Sequence, residues 1–560
     1  MRPDTADPLE RRYLNVVEEM AIAAGLRVPA AYVMDGEPGI NAFAAGYTVS
    51  DAVVAVTRGA LEHLDRDELQ GVIGHEFSHI LNGDMRLDIR MLGVLAGIVF
   101  VGSVGEFLLR ARRGDGRSRS GPLLAVGLAL LLIGYVGLFF ARLIKAAVAR
   151  QREFLADAAS VQFTRNPEAV AGALDRLEER TGRNADPRPP RRGAVAHVLR
   201  RGGRALVRAA VRDAPADRGA HPPRIPAFPA APLSRKRARR AQALAQAQAR
   251  EGERRSAIAA VLAEATLAAG GRRAGDAASA WGRSAGESAA LVGTTDGAKV
   301  DYARRLLAAL PEELKARMRT PHGAPAVLVA LALAAREDAR RGQFAALRAA
   351  GLEAIAAQAE AIAPLAARIG PPAHLPAIDL ALAALKGAPE DLRRDAVRAL
   401  EAVVRADQRM SVHEFVVLTL VRAQLFPPPK PVAGDRRLAD LAPQAALLVS
   451  LVAHAGTRRD AVGARAEALA AAIAAGAREM GLEPRSAGEL TPENAAAALE
   501  ALRELGPLEK AILVRGLFAT ATHDGRIRLA EAELLRLVGA VLDCPLPPLL
   551  ETLDPARLAP

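Results

Sequence analysis

The chain has 560 residues, more than a single hydrophobic core usually holds, so two or three domains are expected. Aromatic residues supply only 3% of it and alanine and leucine dominate the apolar fraction, which favours helices over strands and gives a mainly α protein. A single cysteine, Cys544, excludes an internal disulfide framework and fits a reducing compartment, and the net charge of +12 sits in one segment rather than along the whole chain.

Residues 1–12 are polar and contain no apolar h-region, so they do not read as a secretory signal peptide. A helical pattern runs over 14–24, a short strand is expected at 28–34 after a proline break, and 41–47 and 52–56 read as two more short strands. The stretch 65–83 is amphipathic: Asp65 followed by Glu68 forms a capping box, and Leu69, Val72, Ile73, Ile80 and Leu81 recur at helical spacing.

Inside that helix lies His75-Glu76-Phe77-Ser78-His79. The two histidines fall on one face, where two imidazoles can bind one metal ion, and Glu76 can reach a metal-activated water as general base. The plain alternative is two surface histidines with no common ligand. The continuation through Met85 lacks the glycine and histidine that complete a metzincin site, so a third ligand must come from elsewhere.

Two long apolar runs follow. Residues 91–109 carry one charge, Glu106, and residues 121–141 carry none, and each is long enough for a hydrocarbon core of about 30 Å. For the first run, a buried helix in a soluble hairpin is the alternative. As a pair the two make a transmembrane hairpin, which returns the chain to the side it left. Beyond it, Glu153 and Asp157 lie one turn apart in Arg152-Glu153-Phe154-Leu155-Ala156-Asp157. Glu153 completes a set of two histidines and one carboxylate with the fourth zinc position open, and Asp157 is placed to accept a histidine ring N–H. Arginines in the connecting loop balance those on the flanks, so charge alone does not orient the hairpin.

Three strings together, Asn41-Ala42-Phe43-Ala44-Ala45-Gly46, the 75–84 stretch ending Asn82-Gly83-Asp84, and the 152–157 stretch, resemble the membrane zinc peptidases that include the HtpX heat-shock protease and the CAAX prenyl endopeptidases. The resemblance covers roughly the first third of the chain. It implies a zincin-type, gluzincin endopeptidase with His75, His79 and Glu153 on Zn2+, Glu76 as base and Asp157 supporting the site. It also implies polypeptide substrates, a quality-control role, and a multi-pass protein of the cell inner membrane whose site faces the cytoplasm. In such an enzyme an edge strand at Asn41, Ala42, Phe43 and Ala44 can pair with substrate backbone; an ordinary core strand pair is the alternative. Family members commonly carry hydrophobic helices ahead of the catalytic region, and none is seen here, in keeping with a naturally short form or a late start.

Between 181 and 240 the character changes: fifteen arginines and Lys236 face Asp186, Asp213 and Asp217, a net +13 that accounts for the whole excess. Next to a membrane hairpin such a stretch suits contact with anionic lipid; a solvated linker is the bland alternative. With aromatics for base stacking almost absent, no specific nucleic-acid partner is expected. His221-Pro222-Pro223 resembles a late catalytic-region stretch of the family, but the residues after it depart from that pattern, and His221 is left out of the site.

The organisation expected is therefore a peptidase domain over 1–180 with spans at 91–109 and 121–141, a basic segment over 181–255, and a soluble all-α domain over 256–560 in which no apolar run is long enough to span a membrane. In the last, Leu392, Ala396, Val397, Leu400, Val403 and Val404 line one face of a helix. Residues 407–414 and 524–531 echo each other, each opening a helix with a glutamate in its first turns, and resemble the Asp-Gly and Glu signature of TerB-like helical domains, which suggests binding or sensing. A repeated capping device without ligand is the alternative, and neither copy has the oxygen-rich loop of an EF-hand. Against the enzyme reading stands a membrane-anchored stress-sensing or scaffold protein whose zinc site is structural or idle; Glu76 argues against it, since a structural site needs no base.

Overall fold

The structure, a computed structural model, describes residues 4–111, 121–164, 172–173, 176, 293, 295, 297–406, 410–427, 434–457, 462–485, 487 and 489–548. The basic segment 181–240, His221 and Asp407, Gln408 and Arg409 of the first echo lie outside the described residues.

The chain is mostly helical with one small sheet. Helix α1 (Pro8–Ala24) starts earlier than the apolar pattern suggested, because Asp7 accepts from the Leu9 amide and Pro8 supplies a preset first position; Gly25, at φ 65°, ends it. Strands β1 (Ala30–Met34), β2 (Ala42–Ala45) and β3 (Val53–Thr57) form a sheet in the order β1-β3-β2, with β3 parallel to β1 and antiparallel to β2. The inner strand β3 is the most deeply buried, and β2 is left as an edge. After α2 (Arg58–His63) comes α3 (Arg66–Leu81), held at its start by the expected box: Asp65 accepts from the Glu68 amide and Glu68 from the Asp65 amide, each at 2.8 Å. Leu69, Ile73, Phe77 and Ile80 of α3 are fully buried in a core shared with Tyr13, Val16, Val17 and Met20 of α1.

Helices α4 (Asp84–Ala111) and α5 (Gly121–Thr164) contain the two apolar runs and pack along each other. Gly102 and Gly134 meet in their seam: a Cβ on Gly134 would lie 2.5 Å from the Gly102 Cα. Away from the seam, Phe100, Phe107, Leu132 and Phe139 are all more than 60% exposed, a continuous apolar surface that fits a transmembrane hairpin.

The second half is built of helices α6 (Gly297–Ala309), α7 (Glu312–Met318), α8 (Ala324–Leu331), α9 (Glu337–Ala349), α10 (Glu353–Ala366), α11 (His374–Lys386), α12 (Glu390–Arg405), α13 (Val412–Leu425), α14 (Ala442–Gly456), α15 (Val462–Met480), α16 (Pro492–Leu502), α17 (Pro507–Ala521) and α18 (Leu529–Val541). The face expected on α12 is the buried one, with Ala396, Val397, Leu400, Val403 and Val404 inside and Leu392 packed at its margin. Both echoes open helices with a glutamate that accepts from the N-cap amide: Ser411 and Glu414 form a full capping box on α13, while on α18 Glu531 accepts from the Arg528 amide; these two helices pack together, joined by His413 Nδ1 and Glu533 Oε1 at 2.8 Å.

One expectation about this half needs correction. Leu438–Gly456, a short 3-10 turn running into α14, is long and apolar enough to cross a membrane. Its apolarity has another use here: 44% of that window is buried inside the protein, against 6% and 11% for the two hairpin helices. α14 packs against α15, α16, α17 and α18, and side-chain packing rather than lipid accounts for its composition.

The core runs without a break from α1 into α6, through Val300, Ala303 and Leu306. Arg319 binds Glu18 at 2.5 Å and Asn15 at 2.7 Å, and Arg27 donates to the Ala540 carbonyl at 2.9 Å. Gly25 is pressed so closely on the Leu546 carbonyl that a Cβ there would overlap it. Helix α1 therefore has α3 on one side and α6 on another.

Candidate metal centre

Helical spacing stacks His75 above His79 on the margin of α3, each side chain 18% exposed, while Phe77 between them is buried in the core. The rings meet edge to face with centroids 4.9 Å apart, and their Nε2 atoms stand 3.2 Å from each other. Glu153 of α5 brings Oε2 to 3.8 Å from His75 Nε2. One nitrogen from each histidine and one oxygen of Glu153 all lie within 4.8 Å of one another, the single such cluster of three among the described residues.

The opposite edge of each ring is held by a carboxylate. Asp157 Oδ1 is 3.0 Å from His75 Nδ1, and Asp84 Oδ2 is 2.7 Å from His79 Nδ1. A carboxylate at Nδ1 fixes that nitrogen as the N–H donor and leaves the Nε2 lone pair free, and here both free nitrogens point at a common space. Two nitrogens on a tetrahedral zinc, each about 2.0–2.1 Å from the metal, stand about 3.3 Å apart, close to the spacing of this pair. Two imidazoles and one carboxylate with a fourth side open are thus a donor set that fits zinc.

Glu76 faces the same space from the next position on α3, and its Oε2 accepts from the Ala44 amide of β2 at 2.9 Å. Burial pushes the Glu76 carboxyl above its usual range, with His75 and His79 opposing. Burial alone would lower His75, but the hydrogen bond it donates to Asp157 and the charges of Glu76, Asp157 and Glu153 outweigh it and raise its affinity for a proton.

Of the strand residues singled out, Ala44 reaches Glu76, whereas Asn41 is tied to β3: its carbonyl accepts from the Thr57 amide at 3.0 Å and its amide donates to Thr57 Oγ1 at 2.9 Å. Backbone groups alternate along a strand, so the amides and carbonyls of Ala42 and Ala44 face the open edge while Phe43 pairs with Ala55. Asp84 has a place at the centre that the sequence pattern did not reveal. Asn82 ends α3, and Gly83, in the left-handed region at φ 67°, turns the chain so that Asp84 comes back under His79 as the first residue of α4. The spacing of five from His79 was the available signal, and it has meaning only once that turn is known.

A helix-borne His-Glu-x-x-His joined by a carboxylate from a second helix defines a metallopeptidase-type centre, set here at the root of an apolar hairpin. Residues 8–225 match the model of Peptidase family M48. Similar proteins include "Protease HtpX homolog" of Dictyoglomus thermophilum, 43% identical over 166 residues, 30% of this chain and 54% of that protein. Those of Dictyoglomus turgidum (41% over 174 residues; 30% of this chain, 56% of that one) and Streptococcus uberis (38% over 171; 30% and 57%) are similar in the same way. The N-terminal region of this chain is similar to these HtpX-type proteases and to family M48. The chain spans a little over half the length of these curated relatives. No solved structure matches it.

Proposed function

We propose that the protein is a membrane-bound zinc endopeptidase. The observation that carries this reading is the convergence of His75, His79 and Glu153 on one space with Glu76 beside it. Zinc held by those three side chains would polarise the scissile carbonyl and acidify a water molecule. Glu76 takes the proton released on attack and returns it to the leaving amine. Asp157 and Asp84 keep both imidazoles in the ligating tautomer. The outward amide of Ala42 and the outward carbonyls of Ala42 and Ala44 face an open edge where an extended substrate can pair, which brings its carbonyl beside Glu76.

Helix α4 rises about 10 Å between Asp84 and the start of its apolar run at Met91, so the centre stands close to the membrane surface. This placement supports membrane or misfolded polypeptides as substrates; a quality-control role, the inner membrane and a cytoplasmic face for the centre are what the resemblance to the HtpX-type proteases implies. The basic segment 181–240 is assigned to contact with anionic lipid, and the helical half, by its TerB-like echoes, to binding or sensing.

The test is cleavage of an unfolded model protein by the detergent-purified chain beside Glu76→Gln. Cleavage by the parent alone, with zinc in both, supports the enzyme and its base. Zinc in both with cleavage in neither, despite intact folding, would favour an idle or structural site.

A further inference from the structure

Arg152 immediately precedes Glu153 on α5, and its side chain is only 15% exposed. Its guanidinium reaches back to the start of α4. Nη1 donates to the Asp84 carbonyl at 3.0 Å and lies 3.4 Å from Asp84 Oδ1, while Nη2 binds Asp88 Oδ1 at 2.5 Å. The two oxygens of Asp84 are thereby divided: Oδ2 takes the ring N–H of His79, and Oδ1 faces the guanidinium. His75 has its carboxylate, Asp157, on the same helix as Glu153, but the carboxylate of His79 comes from the other helix of the hairpin. A connection between α4 and α5 is needed at this level if all three donors are to converge, and Arg152 forms it.

We propose that Arg152 is a positioning residue for the centre: it holds Asp84 against His79 and sets the register of Glu153 on α5 against the helix that follows the histidines. The inference rests on the zinc reading above. The planar fork matters as well as the charge. Arg152 engages a carbonyl and two carboxylates in three directions at once, whereas a lysine ammonium at the end of a flexible stem reaches fewer of them and does not fix their relative orientation. An exposed ion pair would contribute little and leave the metal unaffected. Here the Asp84 end is buried, and Asp84 itself bonds a ring of the centre; loss of a group bonded directly to a ligand ring typically weakens metal binding about 10–100-fold, and Arg152 acts on that group from one bond further out.

The experiment measures zinc affinity by chelator competition, and the visible spectrum after cobalt(II) replacement, on the full chain in detergent with Arg152→Ala and Arg152→Lys. Arg152→Ala is expected to lose about tenfold or more in zinc affinity and to change the shape of the cobalt bands, with Arg152→Lys recovering only part. Affinity within twofold of the parent and an unchanged cobalt spectrum in Arg152→Ala would reduce Arg152 to a staple between helices and overturn the proposal. If Arg152→Ala does not fold, Arg152→Lys decides: a several-fold loss with altered bands supports the fork, and parent-like values overturn it. A parent chain that binds no zinc would remove the centre itself and this inference with it. One equivalent in the parent with unchanged variants would remove only the role of Arg152.

Discussion

The amide of Ala44 donates to the carboxylate of Glu76 across 2.9 Å, joining the open edge of the sheet to the helix that bears both histidines. This N–H points away from β3, so proline at 44 removes the donor without removing a bond of the ladder. A hydrogen bond to a charged group contributes about 1.5–3 kcal/mol, so Ala44→Pro is expected to lower the cleavage rate about ten- to a hundredfold. Zinc content should remain that of the parent. A parent-like rate would show that Glu76 is oriented without the strand.

The glycine seam of the hairpin gives a graded series. A Cβ on Gly134 would lie 2.5 Å from the Gly102 Cα and 2.7 Å from its nitrogen, a backbone clash that only separation of α4 and α5 relieves. A Cβ on Gly97 meets nothing within 4 Å. Gly134→Val is therefore expected to cost about 1–3 kcal/mol and to lower the melting temperature in detergent, and Gly97→Ala to behave as the parent. Equal melting temperatures for both would mean that the helices do not meet at these glycines.

Glu18 is buried in α1, where burial pushes its carboxyl upward against the pull of Arg319. Removing one partner of a buried pair leaves the other uncompensated, which typically costs about 3–5 kcal/mol, whereas replacing both with apolar side chains is often neutral. Arg319→Ala is expected to be strongly destabilising in denaturant titration, and Glu18→Leu with Arg319→Met to recover most of the loss. The same small effect in the single and the double variant would contradict the packing of the helical half on α1.

Glu531 is fully buried at the start of α18, with Oε2 accepting from the Arg528 amide at 2.7 Å. Burial raises its carboxyl from 4.5 to about 8, with the backbone bond and charge of Arg528 opposing and Asp524 adding to the rise. Between those values the folded chain keeps a proton that the unfolded chain releases. Stability is therefore greatest below the unfolded value and falls as pH rises toward 8. Glu531→Gln retains an acceptor for the cap and removes the titration. Melting curves from pH 5 to 9 should show the variant gaining on the parent as pH rises; parallel curves would contradict a neutral Glu531 in the fold.

The parts of the site that were legible in the sequence are those set by local rules. Asp65 and Glu68 mark the start of α3, helical spacing aligns His75 with His79, and the same spacing pairs Glu153 with Asp157. A hairpin had to return the chain for Glu153 to reach His75, and α4 and α5 do so. What stayed hidden depends on three-dimensional closure. Asp84 needs the turn at Gly83 to face His79, Arg152 looked like a flanking charge until α4 was beside it, and the Ala44 bond spans 32 residues. Leu438–Gly456 was missed for a related reason: its run is broken by Gln444, Ser450 and His454, of which Ser450 is buried and accepts from the Ala487 amide. Glu18 and Glu19 look like solvent-facing residues of α1, and only Arg319, Arg66 and Arg304 explain why they are buried.

The most direct test of the centre is bound zinc per chain in detergent-purified parent, Glu76→Gln and a His79→Ala, Glu153→Ala double variant. About one equivalent is expected in the first two and a loss of bound zinc from the double variant, with the melting profile of the helical half retained. Equal zinc in all three, or none in the parent after reconstitution, would contradict a metal centre built from His75, His79 and Glu153.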